Sequence, residues 1–380
     1  MAGIYIHIPF CKQKCFYCDF YSTTLVKNKS AYVNALIKEL SLQKSYLKNS
    51  LVETIYFGGG TPSVLTYGEL MSILNQIYNV FDVADNPEIT FEANPDDLTH
   101  DYLKELKLSP VNRLSIGVQS FFDDDLKTMN RRHNAAEAEA AVKLSQDVGF
   151  HNISLDLIYG LPKMNNQKWL YNLNKAFNLN IQHLSAYHLT YEPKTVFYNY
   201  LKNKILIPVV EQESIDEYQT LINKTKQEDF IHYEISNFGK KGFFSKHNSN
   251  YWRQEKYLGV GPSAHSFNNT SRQWNVRDTN KYISFIENEI LPFDSEILDP
   301  GKQYNDYIIT SLRTMWGVDL AFLRETFNEK VVSCCLKSAE QYIKTKKINL
   351  AENHLILSET GILIADKIIS DLFIIDDEVF

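Results

Sequence analysis

Residues 4–18 of the chain read Ile4-Tyr5-Ile6-His7-Ile8-Pro9-Phe10-Cys11-Lys12-Gln13-Lys14-Cys15-Phe16-Tyr17-Cys18, a short β-rich run that leads directly into three cysteines. Similar runs recur along the chain, and a stretch with helical spacing of apolar residues follows each one. The six runs are Ile4–Ile8, Thr54–Phe57, Glu88–Ala93, Arg113–Val118, Ile153–Ile158 and His183–Thr190. Apolar strands that alternate with helices are typical of βαβ units and a parallel sheet. Six such units predict an α/β fold, a partial (β/α)6 TIM-like barrel whose site lies at the C-terminal ends of the strands.

The composition changes after Ile290, where Leu291–Gly301 contains two prolines and a glycine and indicates a linker. We therefore predict a barrel domain over residues 1–290 and a small α-rich C-terminal domain over residues 303–380. The second domain is expected to contain helices and one β-like stretch, Ile348–Leu357. The predicted helices are Tyr304–Met315, Leu320–Phe327, Val331–Thr345 and Ser358–Leu372.

Composition and charge exclude several classes of protein. The 380 residues carry a formal net charge of −7 and contain no long Lys/Arg run, which gives no support for nucleic acid as a partner. No stretch approaches the roughly 18 apolar residues of a membrane span, and the first residues do not resemble a signal peptide, so we expect a cytoplasmic protein. Five cysteines, three of them within eight residues, are too unevenly placed for a disulfide framework and favour metal binding or chemistry.

The three clustered cysteines, Cys11, Cys15 and Cys18, have C-x3-C-x2-C spacing. Three thiolates on one short loop can hold three irons of a [4Fe–4S] cubane and leave the fourth iron open. The amino and carboxylate groups of S-adenosyl-L-methionine fit that vacancy, beside the cluster for one-electron chemistry. A zinc site is the alternative, but structural zinc prefers four ligands, usually in two separated pairs. The sequence has no second C-x2-C pair, although His7 is a nearby candidate for a fourth ligand.

Other residues suited to binding fall at the predicted C-terminal ends of strands. Gly58-Gly59-Gly60-Thr61-Pro62 follows the second strand, where glycines would let the backbone approach a ligand, although a simple tight turn explains the same pattern. Glu92 lies on the third strand, Gln119 follows the fourth, and Asp156 interrupts the apolar fifth. Asp156 points to a site because buried acids are rarely left unpaired.

Several motifs together resemble a radical S-adenosylmethionine family that contains oxygen-independent coproporphyrinogen III dehydrogenase and its paralogue, a haem chaperone. The motifs are Tyr5–Cys11 with the three-cysteine run, Gly58–Pro62 and Asp156–Pro162, and the resemblance covers nearly the whole chain. It implies that the three cysteines hold the cluster. It also implies that S-adenosyl-L-methionine is bound by residues at the strand ends, namely Tyr5, Tyr17, Gly59, Gly60, Thr61, Glu92, Gln119, Arg131 and Asp156.

Two of these residues have a plain alternative. Arg131 can clamp a carboxylate with two hydrogen bonds, but a pair such as Arg131-Arg132 is often a solvated helix end. Tyr5 can equally be a packed strand residue.

Two departures separate the branches of this family. The dehydrogenase has a fourth cysteine two positions after the third, whereas Cys18-Asp19-Phe20 has phenylalanine there, as in the haem-chaperone (HemW) branch. The dehydrogenase also has an N-terminal extension ahead of its Tyr-x-His motif, and four residues precede Tyr5 here. Both departures favour a chaperone without coproporphyrinogen III oxidase activity.

His247-Asn248-Ser249-Asn250-Tyr251-Trp252, within the segment 230–267, resembles the H-N-x-x-Y-W motif of the chaperone, whose histidine is implicated in haem binding. An imidazole beside aromatic rings suits haem, because the nitrogen can bind iron and the rings can pack on the porphyrin. The residues alone are explained equally well by Tyr251 and Trp252 packing in the core and His247 capping a turn. The resemblance leads us to predict that His247 binds haem.

The resemblance implies a haem chaperone that binds haem and delivers it to an acceptor haemoprotein, with a [4Fe–4S] cluster and S-adenosyl-L-methionine as cofactors. An electron donor such as flavodoxin or ferredoxin is a further expected partner. The alternative function is the oxygen-independent coproporphyrinogen III dehydrogenase of porphyrin biosynthesis, which decarboxylates its substrate by radical chemistry.

Overall fold

Six parallel strands form the centre of the protein in a computed structural model that describes residues 1–25, 27–375 and 380. Residue 26 and residues 376–379, the latter within the predicted C-terminal domain, lie outside the described residues. The strands lie at the six predicted runs, and most of their residues are buried because helices cover the sheet. They are β1 (Ala2–Ile8), β2 (Val52–Gly59), β3 (Val83–Ala93), β4 (Arg113–Gln119), β5 (Ile153–Tyr159) and β6 (His183–His188).

Helices connect these strands, so that all six run in the same direction and their C-terminal ends share one edge of the sheet. The predicted mixed α/β fold is confirmed. Short 3-10 turns at Pro62–Val64 and Pro95–Asp97 follow β2 and β3. The helices are α1 (Lys29–Leu42), α2 (Tyr67–Val80), α3 (His100–Lys107), α4 (Asp123–Thr128), α5 (Ala135–Asp147), α6 (Asn166–Asn178), α7 (Val196–Lys202) and α8 (Glu211–Gln227).

The sheet extends beyond both outer strands of this core. The hairpin of β7 (Ile231–Glu234) and β8 (Asn237–Gly239) pairs antiparallel with β6. On the other side, helix α9 (Lys246–Trp252) leads into β9 (Lys256–Val260), which pairs parallel with β1. Beyond β9 lie β10 (His265–Phe267) and β11 (Ser271–Asn275), then helix α10 (Thr279–Glu287) and β12 (Phe293–Ile297). The strand order is β12-β11-β10-β9-β1-β2-β3-β4-β5-β6-β8-β7, a barrel-like sheet whose ladder ends at β12 and β7.

The linker predicted at Leu291–Gly301 is wrong. Its middle is β12, which pairs with β11 along its whole length, and the next helix already begins at Pro300. The sequence conceals this strand because four of its five side chains are exposed, as is typical of an edge strand, so it lacks apolar alternation.

The C-terminal unit is mainly helical, as predicted, and adds a three-stranded sheet of order β13-β15-β14. The β-like stretch at 348–357 is a hairpin, because Glu352 and Asn353 have positive φ angles of 48° and 71° and form its turn. The final predicted helix is two helices, with Ile364 outside helical geometry between them. The elements are α11 (Pro300–Leu312), β13 (Val318–Asp319), α12 (Leu320–Thr326), α13 (Glu329–Lys344), β14 (Ile348–Ala351), β15 (His354–Leu357), α14 (Glu359–Ile362) and α15 (Ala365–Asp371).

Two separate buried clusters stabilise the chain. One contains residues between positions 2 and 286, and the other contains residues between 304 and 372. This separation supports the two-domain division, whose boundaries at 290 and 303 remain our proposal.

A buried carboxylate on α1 forms hydrogen bonds with three residues that follow β9. Glu39 on α1 accepts hydrogen bonds from the Gly261 amide (2.8 Å), the Asn275 side chain (2.7 Å) and the Tyr282 hydroxyl (2.5 Å). Because each buried donor has a partner, this network fixes the segment that follows α9 against the barrel.

Candidate functional site

A closed loop after β1 carries the three cysteines. At its base, the Thr23 amide donates to the Pro9 carbonyl (2.7 Å) and the Cys11 amide donates to the Thr23 carbonyl (2.9 Å). Cys11 is buried, and Cys15 and Cys18 are half-buried. The three thiols therefore lie on one short segment that is fixed where it leaves and rejoins the barrel.

The turn between α4 and α5 holds the far side of this loop. The Phe16 amide donates to the Met129 carbonyl (3.1 Å), and the Asn130 side chain donates to the Lys14 carbonyl (2.9 Å). The Gln13 side chain donates in return to the Asn130 carbonyl (2.9 Å). The loop conformation thus depends on residues far along the sequence.

Two side chains, one after β2 and one in the turn between α4 and α5, donate to the cysteine sulfurs. Thr61 Oγ1 lies 3.5 Å from Cys11 Sγ, and Arg131 Nη1 lies 3.4 Å from Cys15 Sγ. Burial raises the pKa of the Cys11 thiol and raises the pKa of Cys18 to about 11, so these two thiols keep their protons at neutral pH when free. Iron binding would displace those protons, and the Arg131 guanidinium and the Thr61 hydroxyl would then favour the thiolates. The chemistry of this loop fits thiolate-bound iron.

The zinc alternative gains no support from the arrangement. Within the described residues, no three His, Cys, Asp or Glu side chains are gathered around a position for one metal ion. A cubane offers a separate iron to each thiolate and does not need such a gathering. His7 is engaged elsewhere, since its Nε2 lies 2.9 Å from the Tyr21 carbonyl oxygen and its Nδ1 lies 3.1 Å from the Tyr5 hydroxyl. The cluster itself stays a prediction.

The glycine run at the end of β2 packs against the end of β1. Gly59 has a φ of +104°, which side-chain-bearing residues rarely adopt. A β-carbon at Gly60 would lie 2.7 Å from the Ile8 carbonyl oxygen and 2.8 Å from the Phe10 carbonyl oxygen. The tight-turn explanation therefore accounts for both glycines through the packing of the chain itself, and their contact with S-adenosyl-L-methionine stays a prediction.

Two half-buried carboxylates lie near the C-terminal ends of β3 and β5. Glu92 Oε1 accepts a 2.7 Å hydrogen bond from the Tyr56 hydroxyl, and Asp156 Oδ1 lies 3.3 Å from the Ser115 hydroxyl. Burial raises the pKa of Glu92 to about 7, and the nearby charge of Asp156 contributes to this rise. Burial also raises the pKa of Asp156 to about 6. Such shifted acids are typical of functional sites, because a carboxylate kept from water is available to a bound ligand.

Arg131 is not a solvated helix end, because its guanidinium forms several hydrogen bonds within the site. Its Nη2 donates to Asn94 Oδ1 and to the Gly117 carbonyl, each at 2.6 Å. Gln119 approaches the same place, since a β-carbon at Gly117 would lie 2.9 Å from Gln119 Nε2 and 3.4 Å from Arg131 Nη2. Gln119 has a φ of 68°, a costly conformation for a side-chain-bearing residue that is frequent at binding sites.

Asn94 is a site residue that the sequence analysis missed. Its side-chain nitrogen donates to Thr61 Oγ1 (3.2 Å) while its side-chain oxygen accepts from Arg131, so it connects the ends of β2 and β3 to the turn between α4 and α5. Its position two residues after Glu92 and directly before Pro95, at the end of β3, is the signal that could have identified it.

The two tyrosines of the predicted site lie on different sides of it. Tyr17 packs against the barrel core, and burial next to Cys15 raises its pKa. Tyr5 lies beside Tyr56, with ring centroids 6.1 Å apart. Its hydroxyl forms a hydrogen bond with His7 Nδ1, and the tautomer of the histidine decides which group donates. Tyr5 is a packed strand residue in this structure, and its cofactor contact stays a prediction.

His247 lies beneath the carboxylates, on the first turn of α9. Its ring stacks on Tyr56 with centroids 5.1 Å apart, and the side chain is only 1% exposed. Nδ1 lies 2.8 Å from Thr54 Oγ1 and Nε2 lies 2.7 Å from the Tyr251 hydroxyl. Burial, together with the charge of Arg113, lowers the pKa of His247 to about 3. Both nitrogens are therefore occupied, and the predicted role in haem binding requires one of these bonds to open.

Arg113 is a second residue that the sequence analysis missed. It is 1% exposed at the start of β4, and its Nε and Nη2 have no hydrogen-bond partner among the described residues. Its charge opposes the rise that burial causes in the pKa of Asp156. For His247, the same charge adds to the lowering of the pKa that burial causes. A charged residue that opens an otherwise apolar strand was the available signal.

The amino-acid sequence is similar to two known protein families and to characterised relatives. The Radical SAM superfamily matches residues 5–176, and the HemN C-terminal domain matches residues 298–364. The haem chaperone HemW of Bacillus subtilis is 34% identical, over 97% of this chain and 98% of the relative. HemW of Lactococcus lactis is 36% identical, over 86% of this chain and 84% of the relative.

One solved structure has the same fold over nearly the whole length. Coproporphyrinogen III oxidase (HemN) of Escherichia coli aligns with a TM-score of 0.85 at 22% identity, covering 98% of this chain and 90% of the oxidase. In the described part of the chain, no helix is both long and apolar enough to cross a bilayer.

Proposed function

The chain belongs to the family of the haem chaperone HemW, within the radical SAM superfamily, and on that premise we propose that it binds haem and passes it to an acceptor haemoprotein. The observation that carries the proposal is the identity with HemW over almost the full length of both chains. The likeness to the coproporphyrinogen oxidase, at 22% identity, concerns the fold alone. Phe20 favours the chaperone further, because it stands where the dehydrogenase has a fourth cysteine and its side chain is 68% exposed beside the loop.

Membership of the radical SAM superfamily implies a [4Fe–4S] cluster and S-adenosyl-L-methionine as cofactors. We assign the cluster to Cys11, Cys15 and Cys18. When bound, it would supply one-electron chemistry at the sulfonium of the cofactor. Flavodoxin or ferredoxin is our proposed electron donor, and the cytoplasm remains the compartment predicted from sequence.

Different residues of the chain would surround the cluster and bind S-adenosyl-L-methionine. Thr61 and Arg131 donate to the sulfurs of Cys11 and Cys15, and Asn94 forms hydrogen bonds with both donors. Glu92 and Asp156 can accept hydrogen bonds from ribose hydroxyls or from the ammonium group of S-adenosyl-L-methionine. Tyr5, Tyr17, Gly59, Gly60 and Gln119 complete the proposed pocket.

The affinity for S-adenosyl-L-methionine is expected to fall as pH is lowered through about 7. The pKa of Glu92 lies at about 7, so the accepting carboxylate predominates above that pH and is lost below it. Between pH 8 and pH 6 the ionised fraction drops about tenfold, which sets the size of the expected change in dissociation constant. Equilibrium binding to cluster-loaded protein across this range measures it.

Two variants provide the controls for this pH dependence. Glu92→Gln should bind more weakly and lose the step near pH 7, because its side chain does not titrate, which leaves only the titration of Asp156, whose pKa is about 6. Asp156→Asn should keep the step but move it to lower pH, since the Asp156 charge contributes to the raised pKa of Glu92. A step that persists unchanged in Glu92→Gln would contradict the assignment.

The chaperone and the dehydrogenase are separated by a paired measurement on one preparation. After anaerobic cluster reconstitution, we expect the protein to bind one equivalent of haem in a titration that follows the Soret absorbance. The same preparation, given coproporphyrinogen III, S-adenosyl-L-methionine and a reductant, is expected to form no protoporphyrinogen IX. Turnover to protoporphyrinogen would favour the dehydrogenase, and absence of haem binding would reject the chaperone.

A further inference from the structure

A chain of buried polar side chains leads to Asp156. Its members are Tyr233 on β7, His183 at the start of β6, Ser154 on β5 and Ser185 on β6. Each of these four side chains belongs to a residue that is at most 4% exposed. Strand pairing brings them together, because Ser154 lies opposite His183 and Asp156 lies opposite Ser185 in the parallel ladder of β5 and β6.

The direction of the hydrogen bonds follows from the carboxylate end of this chain. Burial raises the pKa of Asp156, and a hydrogen bond with Ser185 opposes that rise. An ionised carboxylate can only accept, so the Ser185 hydroxyl donates and its oxygen accepts from Ser154 Oγ, 3.3 Å away. Ser154 Oγ in turn accepts from His183 Nδ1 at 2.7 Å. Nδ1 therefore carries the hydrogen, and Nε2 has the lone pair.

The opposite end of the chain gives the same direction. The backbone amide of Ser245, the N-cap residue of α9, lies 3.4 Å from the Tyr233 hydroxyl and can only donate to it. Tyr233 therefore directs its own hydrogen to His183 Nε2, 2.8 Å away. A backbone amide at one end and a carboxylate at the other thus require the same tautomer of His183.

His183 can fill this place only while its ring is neutral, with one donating and one accepting nitrogen. Burial, together with the charge of Arg113, lowers the pKa of His183 well below its usual range. The ring therefore carries a single proton at neutral pH, and the direction of the chain is maintained.

We propose that His183 is a positioning residue for Asp156: through Ser154 and Ser185 it directs a hydroxyl hydrogen onto the carboxylate and so orients Asp156 for S-adenosyl-L-methionine. The inference rests on the proposed function, because it takes Asp156 as a contact of that cofactor. It adds a residue that lies outside the family motifs of the sequence.

Loss of the imidazole changes where the hydroxyl hydrogens point. Without a donor at the position of Nδ1, the Ser154 oxygen is free to accept from Ser185, which then turns away from Asp156. Asp156 keeps the Ser115 hydroxyl, 3.3 Å from Oδ1, but loses its second donor. A carboxylate with fewer donors is less stable in its charged form, so its pKa rises and its orientation is less fixed.

Equilibrium binding of S-adenosyl-L-methionine to the cluster-loaded full chain tests the assignment with two variants of His183. His183→Phe keeps a flat ring but removes both nitrogens, and we expect it to weaken binding roughly tenfold, a usual effect of losing a hydrogen bond to a charged group. His183→Asn places an amide donor near the position of Nδ1 and should restore most of the affinity. A purely structural role predicts the reverse order, because asparagine fills less of the buried space than phenylalanine.

The pH profile of binding gives a second measurement. In the Glu92→Gln background, the step due to Asp156 is expected near pH 6, and adding His183→Phe should move it to higher pH. The other groups that face Asp156 do not interfere, because the guanidinium groups stay charged and burial raises the pKa of the tyrosines. These groups are Arg113, Arg131, Tyr56 and Tyr187.

Tyr233→Phe tests the same chain without changing the histidine. It removes the donor to Nε2, so the His183 ring can take the other tautomer and accept from Ser154, and binding should weaken about threefold. Tyr304→Phe is the matched control, since it removes a buried hydroxyl that lies 3.0 Å from the Leu372 carbonyl oxygen in the C-terminal unit. It should bind as the wild type. If thermal unfolding shows that His183→Phe does not fold, the two tyrosine variants decide the question.

The outcomes separate this inference from the proposed function. If the wild-type protein binds no S-adenosyl-L-methionine, the proposed pocket and the positioning role are both overturned. If the wild type binds it and a folded His183→Phe protein keeps the same affinity and pH step, only the positioning role is overturned. Equal weakening in His183→Phe and His183→Asn, or in Tyr233→Phe and Tyr304→Phe, would also overturn that role while the pocket stands.

Discussion

Replacing Cys15 with alanine is expected to leave the reconstituted protein almost without iron, against about four irons per chain for a complete cubane. Cys15 occupies the middle of the loop and its sulfur faces the Arg131 guanidinium at 3.4 Å. Its removal leaves two thiolates for a cluster that needs three from the protein, and an unpaired cation beside the gap. Iron analysis, the broad iron–sulfur absorbance and electron paramagnetic resonance of the reduced sample measure the loss.

Cys334→Ala is the matched control for this prediction. Cys334 is also half-buried, but it lies on α13 in the C-terminal unit, and its loss should leave the iron content unchanged. Thermal unfolding of the two apo variants should be similar to that of the apo wild type. A Cys15→Ala protein that reconstitutes to full iron content would refute the assignment of the loop.

Gly60→Ala is expected to destabilise the barrel by roughly 1–3 kcal/mol, the usual effect of forcing extra atoms into a packed interior. The new methyl group would meet backbone atoms of Ile8, Pro9 and Phe10 within 2.9 Å, and backbone cannot yield as a flexible side chain can. These residues lead directly into Cys11, so the displacement should also lower cluster occupancy. Denaturant unfolding and iron analysis measure the two effects.

The same substitution at Gly68 isolates the cause. Gly68 lies in α2, and a β-carbon there would meet no heavy atom of the described residues within 4 Å, apart from its chain neighbours and the backbone of its own helix. Gly68→Ala should therefore be neutral or stabilise the protein by up to about 1 kcal/mol, as alanine does in a helix. Equal behaviour of the two variants would show that the close approach at Gly60 is unimportant.

The sequence allowed the six central strands to be placed because buried parallel strands are continuous apolar runs. The outer strands escaped notice for physical reasons. β10 has three residues and β13 has two, too few for any periodicity, and β12 is exposed along most of its length. Their pairing depends on neighbours far along the chain.

Some residues of the candidate site could be identified from local sequence patterns and others could not. The cysteine spacing and the acids at strand ends are local features, so they could be identified from the sequence. Asn94 and Arg113 act through contacts with residues on other strands, which no local pattern encodes. For His247, the motif indicated a functional residue, but the burial of both its nitrogens is a property of the packed interior.

The anchoring of the cysteine loop by the turn at residues 129–131 has a consequence for biogenesis. The three cysteines are synthesised early in translation. Arg131 follows Cys15 by 116 residues and is therefore synthesised later. At ordinary elongation rates, that interval is on the order of ten seconds. During it, the nascent thiols have neither their guanidinium partner nor the turn that shapes them, and they are open to oxidation. We therefore expect iron delivery to follow translation of at least the first third of the polypeptide.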